Sequence, residues 1–279
     1  METAYLLCST ILLSHLGSIP ANIRCSQIIY REEKSYRLIR SRARSTLTAL
    51  SRRNVSDLKK CKEFAVAKKA LAFNFGRRIS DGVAAKSEYN LANCIALGCP
   101  EVDGFADLVY DLRFDYYSLY KADDNPLNGS EKTRTCVPTV GLFEFSDVPK
   151  DFTEARKDCA ASGGTLAHIA SPERTKLLPN LIENNLKTDG RAFVGLSRRG
   201  KGTIWKNEFD DPLGCFDFRG WARREPRSRR GCVALDKDRT WTVVSCDKSL
   251  PFICEILPTI SATRRKGQTP VRENHMKNK

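Results

Sequence analysis

The stretch Phe152–Arg174, FTEARKDCAASGGTLAHIASPER, decides how the C-terminal half of this chain folds. Asp151 just before it and Glu154 inside it have the Asp-x-x-Glu form of a capping box, in which side-chain oxygens satisfy the free amides of a helix's first turn. Phe152, Ala155 and Cys159 share one face of that helix, and Gly163-Gly164 ends it. Leu166–Ile169 reads as a strand. Ser171-Pro172-Glu173 then supplies a cap and a first-turn proline for a helix carrying Leu177, Leu178, Leu181 and Ile182, which Pro179 should kink or shorten. Phe193–Leu196, Cys232–Leu235, Thr240–Val244 and Pro251–Cys254 are short apolar strands. Helices first, then strands around a long loop, is an α+β pattern.

Upstream, the signals are weaker. Arg24–Arg53 is arginine-dense and without strong periodicity, part strand and part solvated loop. From Val55 the pattern changes: Ser56 or Asp57 can cap a helix whose apolar positions include Leu58, Cys61 and Ala65. Ala70–Phe75, Asn93–Leu97 and Phe114–Tyr120 follow as strands, and Asp123–Glu131 is a turn-rich linker. The division is therefore a signal peptide over 1–21, a small α+β domain over 22–136, a second domain over 137–257 and a basic, disordered tail over 258–279.

With 279 residues, the chain is long enough for two modest domains at roughly 100–200 residues each. Leu6–Leu16 is too short to span a bilayer, which takes about 20 apolar residues, and suits a signal-peptide core with cleavage near Ala21. The sequons at Asn54 and Asn128 are candidate glycosylation sites, and the ten cysteines outside Leu6–Leu16 fit an oxidising compartment. These features predict a secreted glycoprotein without a transmembrane segment. Only three histidines are present, His15, His168 and His275, so a multi-histidine metal centre is excluded. No nucleophile motif, phosphate-cradling glycine loop or cofactor signature is found, His168 falls on an ordinary strand position, and neither catalysis nor nucleic-acid binding is expected.

The string at 152–174, followed by FVGL at 193–196, Ile204-Trp205, and CVAL, Trp241, Cys246 and PFICE to the end, resembles a C-type lectin-like domain over about 120 residues. The resemblance implies disulfides Cys159–Cys254 and Cys232–Cys246, and a long loop facing the ligand. The family's sugar-binding members hold calcium with Glu-Pro-Asn or Gln-Pro-Asp in that loop and Trp-Asn-Asp in the next strand. Here those positions are Glu225-Pro226-Arg227 and Trp241-Thr242-Val243, so oxygen donors are replaced by arginine, threonine and valine. Calcium takes six to eight oxygens, and no metal is expected here.

The net charge of +14 is unevenly placed, with −1 over 1–21 from Glu2, +7 over 22–136, +3 over 137–257 and +5 over 258–279. Within the nearly balanced second domain, Arg219, Arg223, Arg224, Arg227, Arg229 and Arg230 surround the single acid Glu225. These seven residues are the candidate ligand-binding set, and the ligand classes they suit are an extracellular glycan, a sulfated polyanion or an acidic protein. Arg227-Ser228-Arg229-Arg230 also has the form cut by furin-type convertases.

The first domain resembles a divergent PAN/apple domain through Asp57–Cys61, Ala70–Phe75, Asn93-Cys94 and the tyrosines at 116–120; an unrelated small α+β domain is the alternative. The resemblance implies bonds Cys61–Cys94 and Cys25–Cys136. Cys99 and Cys215 are left to bond each other, stay free or crosslink two chains. The expected function is secreted, non-catalytic recognition through a calcium-independent lectin-like domain. Two alternatives stand beside it: a cationic defence protein acting on microbial surfaces in innate immunity, and a calcium-dependent lectin. The sequence leaves the oligomeric state open.

Overall fold

The computed structural model describes residues 35–76, 92–102, 107–121, 134–185, 190–199, 204–228 and 231–258. The signal peptide expected over 1–21, the tail beyond 258, Cys25, Asn128, Arg229 and Arg230 lie outside the described residues.

The N-terminal half builds its core around one helix. Asp57 caps α1 (Leu58–Ala67) by accepting the Lys60 N–H at 2.9 Å, and the helix buries Cys61, Phe64 and Ala65. It packs on an antiparallel sheet in the order β1 (Arg37–Arg40), β7 (Phe114–Ser118), β4 (Ala72–Gly76), β5 (Cys94–Leu97), β3 (Ala49–Arg53). Cys61–Cys94 ties helix to sheet. The other sheet face is covered by β2 (Ala43–Ser45) paired with β6 (Leu108–Tyr110). This accounts for Asn74 in the middle of an otherwise apolar strand: its Oδ1 accepts from Ser45 N and its Nδ2 donates to Ser45 O, both at 3.0 Å, so a buried amide is satisfied.

The C-terminal half is a sheet in the order β14 (Trp241–Val244), β13 (Gly231–Asp236), β11 (Arg191–Arg198), β15 (Leu250–Ile256), β9 (Gly141–Lys150), β8 (Arg134–Val137). β10 (Gly164–Leu166) pairs with β15, and β12 (Lys206–Asn207) with β11. β15 is buried along its whole length and runs parallel to β11 but antiparallel to β9. Asp151 caps α2 (Phe152–Ala161) by accepting from Thr153 N and Glu154 N at 2.8 Å each, and Phe152, Ala155 and Cys159 are buried beneath it. Ser171 caps α3 (Pro172–Leu177), and Pro179 divides the run, opening a separate α4 (Pro179–Asn185). Cys159–Cys254 and Cys232–Cys246 are both formed.

One expected bond is corrected. Cys136 does not pair with Cys25; it sits on β8, 5.8 Å Cα to Cα from Cys99, and is bonded to it. The physical reason is that β8 forms a hairpin with β9 and so belongs to the lectin-like sheet, which brings Cys136 against the end of β5. Cys215 is also disulfide-bonded, so it is neither free nor joined to Cys99. With the outer pair gone, the PAN/apple resemblance is left with the helix-to-strand bond alone. The two halves share a seam: Tyr120, Leu142 and Ile256 pack into the core around Phe64 and Phe73, and Thr139 N donates to Gly98 O at 3.0 Å.

Candidate functional site

The long loop between β12 and β13 is held down by aromatic packing. Trp241, fully buried at the start of β14, donates its indole N–H to Thr175 Oγ1 at 3.0 Å. Its backbone clasps the loop, accepting from Ala222 N at 2.9 Å and donating to Gly220 O at 2.8 Å. Trp221 lies between Trp205 and Trp241, with ring centroids 5.3 and 5.4 Å away, and Phe218 meets Trp241 edge-on at 5.6 Å. All three tryptophans of the chain are thus one cluster. Gly220 makes the clasp possible, because a Cβ there would stand 2.8 Å from Trp241 Nε1.

On this base the loop arginines have distinct fates. The Arg219 guanidinium folds inward, donating to the carbonyls of Phe216, Phe218 (2.7 Å) and Leu213 (2.8 Å), so it braces the loop. Arg227 closes on Glu225: its backbone N–H reaches Oε2 at 2.9 Å, and its Nε lies 3.8 Å from Oε1. Arg223 and Arg224 are different. Like Arg219 and Arg227 they are exposed, but their side chains make no hydrogen bond or ion pair among the described residues. They occupy a tight turn closed by Glu225 N donating to Ala222 O at 2.9 Å, with Arg224 at φ +67°. Of the expected set, the structure brings Arg219, Arg223, Arg224, Glu225 and Arg227 onto one loop, with two guanidinium groups presented and two engaged.

A calcium ion would find a poor donor set here. Glu225, 12% exposed, already faces a guanidinium, and the side chains at 242 and 243 are threonine and valine. Asp236 is buried and ion-paired to Arg191 at 3.2 Å; burial above all pushes its carboxyl upward, and the charges of Asp238 and Glu225 add to this. Among the described residues, no group of three or more His, Cys, Asp or Glu is placed to hold a metal ion. His168 is buried with its ring 4.7 Å from Phe216, and burial pushes its imidazole down to about 3, so it stays neutral. No helix among the described residues is long and apolar enough to cross a membrane.

The aromatic cluster escaped sequence reasoning as a unit. The signal available was the confinement of every tryptophan to residues 205–241, on both sides of the arginine run.

A family model described as the lectin C-type domain matches residues 148–256. Snaclec A14 of Macrovipera lebetinus is 30% identical over 140 residues, which cover 46% of this chain and 87% of the relative. The chain belongs to the C-type lectin domain family. A hemolymph lipopolysaccharide-binding protein of Periplaneta americana is 29% identical over 126 residues, covering 42% of this chain and 49% of the relative. Human layilin is 31% identical over 189 residues, covering 58% and 50%. The chain spans about half the length of these last two relatives. The long loop and its arginines fall inside the matched lectin domain.

Proposed function

We propose that this protein is a secreted, non-catalytic recognition protein whose lectin domain binds an extracellular glycan or protein ligand through the long loop without calcium. The observation that carries this reading is the contact of Arg227 with Glu225, where the chain's own cation lies 3.8 Å from the one carboxylate retained at the family's calcium positions and the Arg227 backbone N–H occupies its other oxygen. Repulsion between that guanidinium and a divalent ion opposes calcium entry. The relatives include a protein named for binding lipopolysaccharide, which supports a microbial or host glycan as the ligand class. The short apolar leader, the sequon at Asn54, where the amide side chain is exposed, and the disulfides support an extracellular setting.

Thermal melting with calcium and with EDTA tests the reading, since any ligand that binds only the folded state raises the midpoint. Equal midpoints are expected, together with an unchanged set of bound probes on a glycan array in the two conditions. A clear rise with calcium would overturn it.

A further inference from the structure

We infer that the long loop recognises a saccharide bearing sulfate or phosphate esters, with Arg223 and Arg224 contacting the ester oxygens and Trp221 contacting the sugar ring. This rests on the calcium-independent recognition proposed above and names its ligand.

The inference follows from which groups on the loop remain available. Arg219 is engaged by three carbonyls and Arg227 by Glu225, the single acid of residues 219–228, so that acid is already offset and the charge of the Arg223–Arg224 turn is left unbalanced beside it. Guanidinium forks match the geometry of sulfate and phosphate oxygens, making paired charge-assisted hydrogen bonds. The two side chains also start from a fixed backbone: their turn is closed by the Glu225–Ala222 hydrogen bond and clasped to β14 through Ala222 and Trp241. Arg224 sits at positive φ, a conformation that costs a non-glycine residue energy and is retained where surrounding contacts enforce it. Fixing the backbone in advance lowers the entropy lost when a ligand orders the side chains.

Two residues before this pair, Trp221 is held between Trp205 and Trp241 and keeps part of its surface open, while its two neighbours are buried. A rigid aromatic surface suits the apolar C–H face of a sugar ring, and a flexible acidic peptide has no matching element. Cations beside an aromatic platform thus favour an esterified saccharide over a bare polyanion.

The test uses the full chain in EDTA at physiological salt, with four probes: dextran sulfate, a phosphorylated mannan, neutral dextran and polyglutamate. At least one esterified polysaccharide is expected to bind about tenfold or more tightly than neutral dextran and polyglutamate, and the stronger of the two identifies the ester. Binding should shift the tryptophan emission. The double variant Arg223→Gln/Arg224→Asn, whose asparagine tolerates positive φ, should weaken that binding about tenfold or more at an unchanged melting midpoint. Arg223→Lys/Arg224→Lys should restore part of it, because charge returns without the fork. Equal binding of polyglutamate would reduce the effect to bulk charge and overturn the inference. Binding indifferent to the double variant, or no preference for the esters, would also overturn it while leaving calcium-independent recognition intact. Binding absent in EDTA and restored by calcium would instead defeat the underlying reading.

Discussion

Arg174 and Glu255 meet through two side-by-side hydrogen bonds of 2.6 and 2.7 Å, across 81 residues of sequence, where the lectin domain abuts the N-terminal half. Each side chain is only 11% exposed. Arg174 also donates to the His168 carbonyl at 3.1 Å, and Glu255 accepts the His168 N–H at 3.1 Å. Tyr120 from the N-terminal half is near enough that the Glu255 charge adds to burial in holding its phenol protonated. A charge pair this enclosed is costly to break from one side, because the survivor is left buried and unpaired. Arg174→Met is therefore expected to lose about 3–5 kcal/mol of unfolding free energy, and Arg174→Met/Glu255→Leu to recover most of it. Denaturant titration of the two variants checks this; a double variant no better than the single one would count against it.

Acid sensitivity follows from His168. Its folded imidazole titrates at about 3 against an ordinary value of 6.5, so below 6.5 the unfolded chain takes up a proton that the folded chain refuses. Its contribution is complete above 6.5 and is lost progressively as pH falls toward about 3. Stability measured across that window should decline for the parent chain, and His168→Gln should flatten the upper part of the decline, where carboxylates have not begun to protonate. Parallel profiles would show that His168 is not the source.

Gly220→Ala should disturb the long loop from within. The added methyl would lie 2.8 Å from Trp241 Nε1 and 2.9 Å from its Cε2, neither of which can retreat without moving the aromatic cluster. A loss of roughly 1–3 kcal/mol is expected, as for overpacking elsewhere. Tryptophan emission should shift with it, and an unaltered spectrum at full stability would contradict the clasp.

Replacing Cys99 and Cys136 together by serine removes a crosslink over 37 positions. The chain-entropy relation puts its worth at about 4 kcal/mol. Limited proteolysis should then cut between the halves faster than in the parent chain, while the lectin-domain bonds Cys159–Cys254 and Cys232–Cys246 remain protected from alkylation. Unchanged digestion would show that the apolar seam alone holds the halves together.

Much of this architecture is readable from residues with one strong local preference. Asp151 and Ser171 act through side-chain oxygens on amides two or three residues ahead and Pro179 through its ring, and each does in the fold what its chemistry predicts. The strands at 72–76, 94–97 and 114–118 announce themselves because both faces are covered. The hairpin of β8 and β9 is hidden by its charges: Arg134 and Glu144 look like surface residues until the register places them opposite one another, 2.9 Å apart with Glu144 buried. Similarly, β1–β3 are short and arginine-rich, so no apolar alternation marks them. At the site, the arginine cluster is plain in the sequence. Which guanidinium turns inward depends on the carbonyls of Leu213, Phe216 and Phe218, whose side chains pack into the core, Phe216 on His168 and Phe218 on Trp241.

The pairing of β15 with β9 bears on how this lectin domain could be moved or borrowed. The family match begins at residue 148, within β9, whereas β15 draws its partners from Leu142 through Lys150. A fragment trimmed to the match would strip most of one edge from a strand buried along its whole length, baring backbone amides and carbonyls that readily recruit a second chain. The heritable module and the smallest piece able to stand alone are therefore different lengths, and the difference is the hairpin that carries Cys136.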